Sequence, residues 1–423
     1  MYLIVFLVAA AVALATTPLA RWFALRTKVL DRPGGRKVHH SAMPLLGGLA
    51  VAVGFGAGCA VAYALPGARL PEFPLLGLAV GGFLMVALGI YDDWHGADAR
   101  LKLSVQVLAA LAVVASGSRI AILTNPFGGH WSLGFFSVPV TVLWIVGITN
   151  ALNLIDGMDG LAAGIGAIVS LTLFALAVPD STTFVPVVAI ALAGASVGFL
   201  RHNFPPARIF LGDTGSLLLG FVISVIGIQG FLKGTTALAL AVPILAIGVP
   251  VVDTALAILR RSVRRAHLFK ADREHLHHRL MRIGLTQRQS VLVLYWVSIF
   301  LALTSLSLRD LPPQKGCLLV VVVLMAGGLL LKALGYVEAR FNRIYEKIVR
   351  LAQEGRAPGS EEMALLNGFY TQDLARTADA SPVTWVVPEE EARGGAGLAD
   401  LFGRPGTARR ILEARVLKRP GHS

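Results

Sequence analysis

Residues 134–178 read GFFSVPVTVLWIVGITNALNLIDGMDGLAAGIGAIVSLTLFALAV, two apolar runs separated by the polar stretch NALNLIDGMDG at 150–160. Each run has the length needed to cross a hydrocarbon core of about 30 Å, roughly 17–25 residues of helix. Asn150, Asn153 and Asp156 recur every third residue and share one helical face, with a drift of about 60° per step. Polar side chains at membrane depth are tolerated where they line a protein cavity. The stretch therefore predicts two membrane-spanning helices that meet at a polar wall.

The rest of the chain has the same apolar character. Of its 423 residues, 55% are hydrophobic and only 15% are charged, too few for the surface of a soluble protein of this length. The composition predicts an all-α polytopic integral membrane protein with about eleven transmembrane helices. The predicted spans lie near residues 2–23, 46–65, 74–91, 101–117, 134–150, 159–178, 183–200, 215–232, 236–258, 291–307 and 317–335.

Two features of the apolar segments have alternative readings. The first run could be a signal peptide, but it lacks a basic n-region and further spans follow, so it is interpreted as the first transmembrane helix. The two cysteines, Cys59 and Cys317, both lie in apolar segments. That position argues against a disulfide framework and against a thiolate metal site.

Lysine and arginine residues set the predicted orientation. They crowd the loops after the first and ninth spans, whereas the opposite loops carry few. By the positive-inside rule, the N-terminus lies outside and the C-terminus in the cytoplasm. The net charge of +13 then faces anionic membrane lipid, so no nucleic-acid partner is predicted.

Residues 1–335 form the predicted transmembrane catalytic domain. Residues 336–423 form a polar cytoplasmic tail, an amphipathic helix at 338–356 followed by a weakly ordered segment.

Five polar clusters fall on the predicted cytoplasmic side, and no outside loop carries a comparable one. Their convergence on one face predicts a single site at the boundary between membrane and cytosol. The clusters are DRPGGRKVHHSAMPLLGG (31–48), YDDWHGADARLK (91–102), NALNLIDGMDG (150–160), RHNFPPARIFLGDTGS (201–216) and ADREHLHHRL (271–280).

The clusters also have structural explanations, which the sequence leaves open. Lys102 stands four residues after Asp98 and can form an ordinary ion pair on a helix surface. Asn150 or Asn153 can join neighbouring helices by hydrogen bonds. Asp213, which lies between two glycines, can cap a helix. The basic first loop can serve only as a topogenic signal.

The functional explanation is a site for a hard cation and phosphate. Asp92 and Asp93, followed by a lysine, suit a site that handles Mg²⁺ and phosphate together. Asp213 and an asparagine of the 150–160 stretch would bind such a cation through oxygen atoms, with a substrate phosphate completing the site. The histidines of HLHHRL are a weak transition-metal pattern and more simply bind pyrophosphate or a sugar.

Four ordered motifs carry a specific resemblance. They are DDWHGADARLK (92–102), NALNLIDGMDGLAAG (150–164), FLGDTGSLLLG (210–220) and HLHHRL (275–280). With the basic first loop, they resemble the polyprenyl-phosphate N-acetylhexosamine-1-phosphate transferases over roughly residues 1–335. The form of the histidine motif is similar to that of the branch that uses UDP-N-acetylglucosamine. The branch that uses UDP-N-acetylmuramoyl-pentapeptide carries a different one.

The resemblance implies three sets of site residues. The metal ligands, for Mg²⁺ or for Mn²⁺ in its place, are Asn153 and Asp213. The catalytic residues are Asp92, Asp93, Lys102, Asp156 and Asp159. The substrate-binding residues are Lys37, His39, Asn150, Asn203, Phe210, His275, His277, His278 and Arg279.

Some of these residues receive a more specific role from the resemblance. Asp92 and Asp93 are the implied acid/base pair, and Lys102 is an implied phosphate contact. Phe210 would stack on the uracil, and Asn203 would hydrogen-bond to it. The histidine motif would face the pyrophosphate and the N-acetyl sugar, whereas the two aspartates of DGMDG receive a place in the wall without separate roles.

The implied reaction transfers N-acetylhexosamine 1-phosphate, in the first place that of N-acetylglucosamine, from a UDP-sugar to polyprenyl (undecaprenyl) phosphate and releases UMP. The product would start a lipid-linked glycan of the cell envelope, such as O-antigen or teichoic acid. The enzyme would lie in the bacterial cytoplasmic membrane with its site facing the cytoplasm. The alternatives are another UDP-sugar and a membrane transporter, although a transporter should place its polar residues near mid-bilayer. The sequence leaves open the sugar, the pathway, a direct or covalent mechanism, the role of the tail and a homodimer.

Overall fold

The fold is mostly helical in the part of the chain that the computed structural model describes, residues 1–31, 42–65, 72–124, 130–180, 184–231, 241–263, 275–309 and 311–353. The predicted site residues Lys37 and His39 lie outside these ranges. The helices are α1 (Tyr2–Thr27), α2 (Gly47–Ala64), α3 (Glu72–His95), α4 (Ala99–Ala115), α5 (Ser137–Ile155), α6 (Leu161–Ala177), α7 (Phe184–Asn203), α8 (Gly212–Phe231), α9 (Ala241–Ala246), α10 (Gly248–Val263), α11 (Leu276–Arg282), α12 (Gln287–Leu308) and α13 (Pro313–Gln353).

Eight of the described helices are long and apolar enough to cross a membrane, as expected for a multi-pass membrane protein. They are α1, α2, α3, α5, α7, α8, α12 and α13. The other predicted spans correspond to shorter helices: α4, α6, and α9 with α10. The total of eleven spans and the orientation therefore stay predictions.

The single span predicted near residues 236–258 is divided. Within the described residues, α9 ends at Ala246 and α10 begins at Gly248. Pro250 explains the break, because proline lacks an N–H group and its ring conflicts with the carbonyl four residues earlier, that of Ala246. The apolar composition of this segment predicted a single span and did not reveal the break.

Two short antiparallel hairpins interrupt the helices, and the sequence did not predict them. One pairs β1 (Leu30–Asp31) with β2 (Met43–Pro44), and the other pairs β3 (Ile122–Thr124) with β4 (His130–Ser132). Strands of two or three residues are too short for an alternating pattern to be recognised. The first hairpin matters for the site, because Pro44 contacts the loop that precedes α8.

The described residues form two compact units. The first contains α1 to α10, residues 275–278, α12 and the start of α13 up to Met325, and the second contains residues 279–286 and the remainder of α13. The core of the first unit surrounds α8, which packs against α2, α3 and α5. A helix that is apolar on all sides belongs in such a buried position.

Glycines let the backbones of two helices, α2 and α3, come into direct contact with the backbone at the start of α8. A Cβ atom on Gly48 in α2 would lie 2.0 Å from the backbone nitrogen of Gly215. A Cβ atom on Gly89 in α3 would lie 2.2 Å from the Cα atom of Thr214. Close backbone contact through small residues is a recurrent mode of helix packing in membranes. The packing places Asp213, at the first turn of α8, against the end of α3.

Candidate active site

Asp213 is the centre of a polar cluster built by four helices. The Nζ atom of Lys102 in α4 lies 2.6 Å from Asp213 Oδ2 and also forms a salt bridge with Asp92 in α3. The side-chain amide of Asn153 in α5 donates to Asp213 Oδ1 and to the hydroxyl of Ser216, both at 2.9 Å. The predicted carboxylate, lysine and asparagine motifs therefore meet at the N-terminus of α8. The lysine joins two carboxylates that are 121 positions apart, a longer-range role than the local ion pair with Asp98.

Asp93 holds the first turn of α8. One of its carboxylate oxygens accepts the backbone N–H of Asp213 at 2.8 Å. The other accepts the backbone N–H of Thr214 at 3.1 Å and its hydroxyl at 2.6 Å. The first N–H groups of a helix have no partner within the helix, so a carboxylate placed there satisfies them and interacts favourably with the helix dipole. Capping, which the sequence suggested for Asp213 itself, is thus performed by Asp93 from a neighbouring helix.

The two aspartates of the predicted acid/base pair therefore differ in their contacts. Asp92 faces Lys102, accepts the backbone N–H of Ala97 at 2.5 Å and lies within hydrogen-bonding reach of Asp213. Asp93 is turned towards the backbone of α8. Because of this difference, Asp92 is the member of the pair that contacts Lys102, the implied phosphate contact.

Thr214→Val tests the anchoring of α8 by Asp93. Valine keeps the shape of threonine but removes the hydroxyl donor, and the loss of a hydrogen bond to a buried charged group costs about 1.5–3 kcal/mol. We expect a lower thermal unfolding temperature and turnover reduced about 10-fold, because Asp213 shifts with its helix. Thermal unfolding and initial rates of the purified protein would measure both.

Thr172→Val in α6 is the matched control, since within the described residues the Thr172 hydroxyl bonds only to its own helix, at 2.8 Å from the carbonyl of Ile168. It should leave both quantities within error of the unsubstituted protein. Equal effects of the two substitutions would contradict the anchoring role.

The loop between α7 and α8 is fixed to the polar wall at several points. Asp159 Oδ2 accepts the backbone N–H of Ala207 at 2.9 Å. Asn203, only 3% exposed, donates to the carbonyl of Ile209 at 2.9 Å and accepts the N–H of Gly160 at 3.0 Å. Its side chain thus has a structural task on both its polar atoms, which the sequence did not indicate, and its contact with uracil stays a prediction.

Phe210, the predicted uracil platform, is held at its backbone. Its N–H donates to the carbonyl of Pro44 at 2.9 Å, and its carbonyl accepts the N–H of Gly47 at 3.0 Å. The side chain is partly buried. These two hydrogen bonds fix the backbone from which the ring projects, two residues before α8 begins.

Asn150 joins two neighbouring helices by hydrogen bonds, which is the structural explanation that the sequence left open. Its amide nitrogen donates to Gln106 Oε1 at 2.7 Å and to the carbonyl of Val146 at 2.8 Å, so it joins α5 to α4. Gln106 is buried and was not singled out from the sequence. A lone polar residue within a predicted span was the signal that could have identified it. Substrate contact by Asn150 stays a prediction.

The histidine motif lies at the start of α11. His275 and His277 are buried and their rings stack in parallel, with centroids 5.8 Å apart. The ring of His278 is 4.2 Å from that of His277. Burial, followed by the charge of His278, lowers the pKa of His277 to about 3, so its imidazole is neutral at physiological pH. Arg279 belongs to the second unit, where its guanidinium lies beside Gly335.

The cluster has the donor chemistry of a Mg²⁺ site. Asp92 and Asp213 offer carboxylate oxygens, and the amide oxygen of Asn153 is the atom left for a cation, since its nitrogen donates to α8. Burial, together with the carboxylates of Asp213, Asp93 and Asp159, raises the pKa of Asp156 well above its usual range. Such crowding of negative charge favours a cation. Among the described residues, no three His, Cys, Asp or Glu side chains form a ready-made metal site. A bound Mg²⁺ would therefore complete its shell with water and substrate phosphate.

Comparisons with known proteins identify the family of this chain. The family model described as Glycosyl transferase family 4 matches residues 75–231, which include Asp92, Lys102, Asn153 and Asp213. A Bacillus subtilis protein named "Probable undecaprenyl-phosphate N-acetylglucosaminyl 1-phosphate transferase" is 34% identical over 351 residues, 82% of this chain and 97% of that protein. The decaprenyl-phosphate N-acetylglucosaminephosphotransferase of Mycolicibacterium smegmatis is 34% identical over 346 residues, 76% of this chain and 85% of that protein.

A second group of relatives matches less of the chain. A phospho-N-acetylmuramoyl-pentapeptide-transferase of Thermosynechococcus vestitus is 36% identical over 242 residues, 54% of this chain and 62% of that protein. By contrast, the match to the Bacillus protein covers nearly its full length, and the four motifs lie within the matched region. This chain therefore belongs to the family of polyprenyl-phosphate N-acetylhexosamine-1-phosphate transferases, within glycosyl transferase family 4.

Proposed function

We propose that this protein transfers N-acetylglucosamine 1-phosphate from UDP-N-acetylglucosamine to polyprenyl phosphate in a Mg²⁺-dependent reaction. The observation that carries the proposal is the contact of Lys102 with Asp92 and Asp213. It brings a lysine, which can bind phosphate, next to two carboxylates, which can bind Mg²⁺. The names of the relatives support the choice of the transferred group and of the acceptor.

The two substrates support a site at the cytoplasmic surface of a bacterial cell membrane. The polyprenyl chain keeps its phosphate at the membrane boundary, and the UDP-sugar is soluble in the cytosol. The polar clusters belong to loops or helix ends that the distribution of Lys and Arg assigns to the cytoplasm. In this scheme, Lys102 meets the phosphates and the aspartate-rich stretch at 150–160 lines the sugar side.

We favour direct attack by the lipid phosphate. A phosphate monoester has a second pKa of about 6, so it is mostly a dianion at neutral pH and needs positioning more than a strong base. One of its oxygens attacks the β-phosphorus of the UDP-sugar, the bond from that phosphorus to the bridging oxygen breaks, and UMP leaves with that oxygen. Lys102 and Asp92 orient the acceptor, while Asp93 holds Asp213 in place. When bound, Mg²⁺ supplies charge neutralisation at the pyrophosphate.

The assay for this proposal uses the purified full chain, polyprenyl phosphate in detergent and UDP-sugars labelled in the sugar. We expect label in the organic phase with UDP-N-acetylglucosamine, and much less with UDP-N-acetylgalactosamine or UDP-N-acetylmuramoyl-pentapeptide. Treatment with EDTA should stop the transfer, and added Mg²⁺ should restore it. Transfer that persists in EDTA would contradict the metal dependence, and preference for another sugar would contradict the donor.

A further inference from the structure

Asp253 is a buried carboxylate outside the four motifs. It lies near the start of α10 and is 2% exposed. Its Oδ1 atom accepts the backbone N–H of Leu276 at 2.9 Å, and its Oδ2 atom lies 2.9 Å from Nδ1 of His275. A carboxylate only accepts hydrogen bonds, so it holds His275 in the form that carries a proton on Nδ1. One side chain thus fixes both the backbone and the ring at the start of α11.

The ring of His277 lies beside that of His275, which Asp253 holds. The rings of His275 and His277 are parallel to within 2°. Nε2 of His277 is buried and has no hydrogen-bond partner among the described residues. It is directed at Gly157, since a Cβ atom on that glycine would lie 2.9 Å from it. An unsatisfied buried nitrogen is costly, and here it faces the turn that carries Asp156 and Asp159.

The cost of burying Asp253 points to a task beyond packing. A buried carboxylate is expensive to desolvate, and an apolar side chain of similar volume is often at least as stable in such a place. The two contacts of Asp253 hold the backbone of Leu276 and the ring of His275, both at the start of the histidine motif. A neutral His277 with a free Nε2 can then hydrogen-bond to a polar group of a bound substrate.

We infer that Asp253 is a positioning residue of the transferase, which anchors the first turn of α11 so that Nε2 of His277 faces the Asp156–Asp159 turn. The ligand at this position is a phosphate-linked sugar, because the turn continues the polar wall that begins at Asn153. The inference rests on the proposed function. Asp253 itself touches no substrate and acts through His277.

The first test is Asp253→Asn in the purified full chain. Asparagine keeps the size but replaces one acceptor oxygen with a donor, so while His275 carries its proton on Nδ1 the amide can retain only one of the two bonds. We expect kcat/KM for UDP-N-acetylglucosamine to fall about 10- to 100-fold, as a displacement of about 1 Å produces, with KM for polyprenyl phosphate within about 2-fold. Asp253→Glu, which keeps both acceptor oxygens, should recover part of the loss. Thr254→Val is the matched control, because the neighbouring Thr254 hydroxyl has no partner among the described residues.

The decisive test repeats Asp253→Asn in a His277→Gln background. If Asp253 acts through His277, adding Asp253→Asn to the His277→Gln protein should lower kcat/KM by less than about 2-fold further, because the two residues act as one unit. A full additional loss, or an Asp253→Asn protein that is folded and as active as the unsubstituted one, would overturn the inference. Should Asp253→Asn fail to fold, His275→Gln replaces it in the same cycle with the same expected outcomes. Failure of the unsubstituted protein with every UDP-sugar would instead overturn the proposed function, and the positioning role with it.

Discussion

Asp213→Asn is expected to lower turnover by about 100- to 1,000-fold while the protein stays folded. Asp213 is bonded to Lys102 and Asn153 and lies within hydrogen-bonding reach of Asp92. The substitution removes the negative charge that the lysine and a bound cation require, and preorganised charge of this kind commonly contributes factors of that size. Initial rates at saturating substrates would measure the loss, and thermal unfolding would establish that the fold is retained.

Asp98→Asn is the matched control for Asp213→Asn. Asp98 is an exposed aspartate at the start of α4, and its side chain makes no capping hydrogen bond there. It is also the residue that the sequence offered as a local partner of Lys102. We expect a rate within about 2-fold of the unsubstituted protein. A large loss with Asp98→Asn and a small one with Asp213→Asn would reverse the assignment of the lysine's functional partner.

Gly48→Ala is expected to destabilise the protein strongly. The added Cβ atom would lie 2.0 Å from the nitrogen and 2.4 Å from the Cα atom of Gly215, both backbone atoms that cannot turn aside. Overpacking typically costs about 1–3 kcal/mol, and a contact this short with backbone should reach or exceed that range. Because α8 must move away from α2, we also expect the activity to be lost. Thermal unfolding in detergent and the yield of folded protein would measure the effect.

Gly56→Ala in the same helix provides the comparison. Apart from its chain neighbours and the backbone of its own helix, no atom of the described residues lies within 4 Å of a Cβ atom placed on Gly56, so the substitution should be neutral or slightly stabilising through helix propensity. The pair therefore separates close approach from the general loss of a glycine in α2. Similar unfolding temperatures for the two variants would contradict the close packing of α2 against α8.

The sequence predicted well what depends on one segment at a time. Long apolar runs predicted the membrane helices, and the polar clusters predicted which residues gather around Asp213. Pairings between distant segments were less accessible. The bond from Asp93 to the first turn of α8 joins residues 120 positions apart, and no periodicity in either segment encodes it. The sequence therefore offered Asp92 and Asp93 as equal members of a pair.

The same limit explains the other differences. Asn150 and Asn153 have the same residue type and lie on the same face of α5, yet one joins α4 and the other joins α8. Only the position of the neighbouring helices decides which asparagine joins two helices and which one belongs to the cluster around Asp213. Asp253 was overlooked because it lies inside an apolar run without a motif, although a lone carboxylate in a predicted span was itself a signal.

In the proposed reaction, the cluster around Asp213 transfers a sugar together with its phosphate. The most direct measurement gives the purified protein UDP-N-acetylglucosamine labelled with ³²P at the β-phosphorus, together with polyprenyl phosphate. We expect the label to enter the lipid, with UMP released in equal amount, and Asp213→Asn to lower the rate of both by about 100- to 1,000-fold. Label that stays in the aqueous phase as UDP while the sugar enters the lipid would contradict the proposed reaction, since that outcome means transfer of the sugar alone.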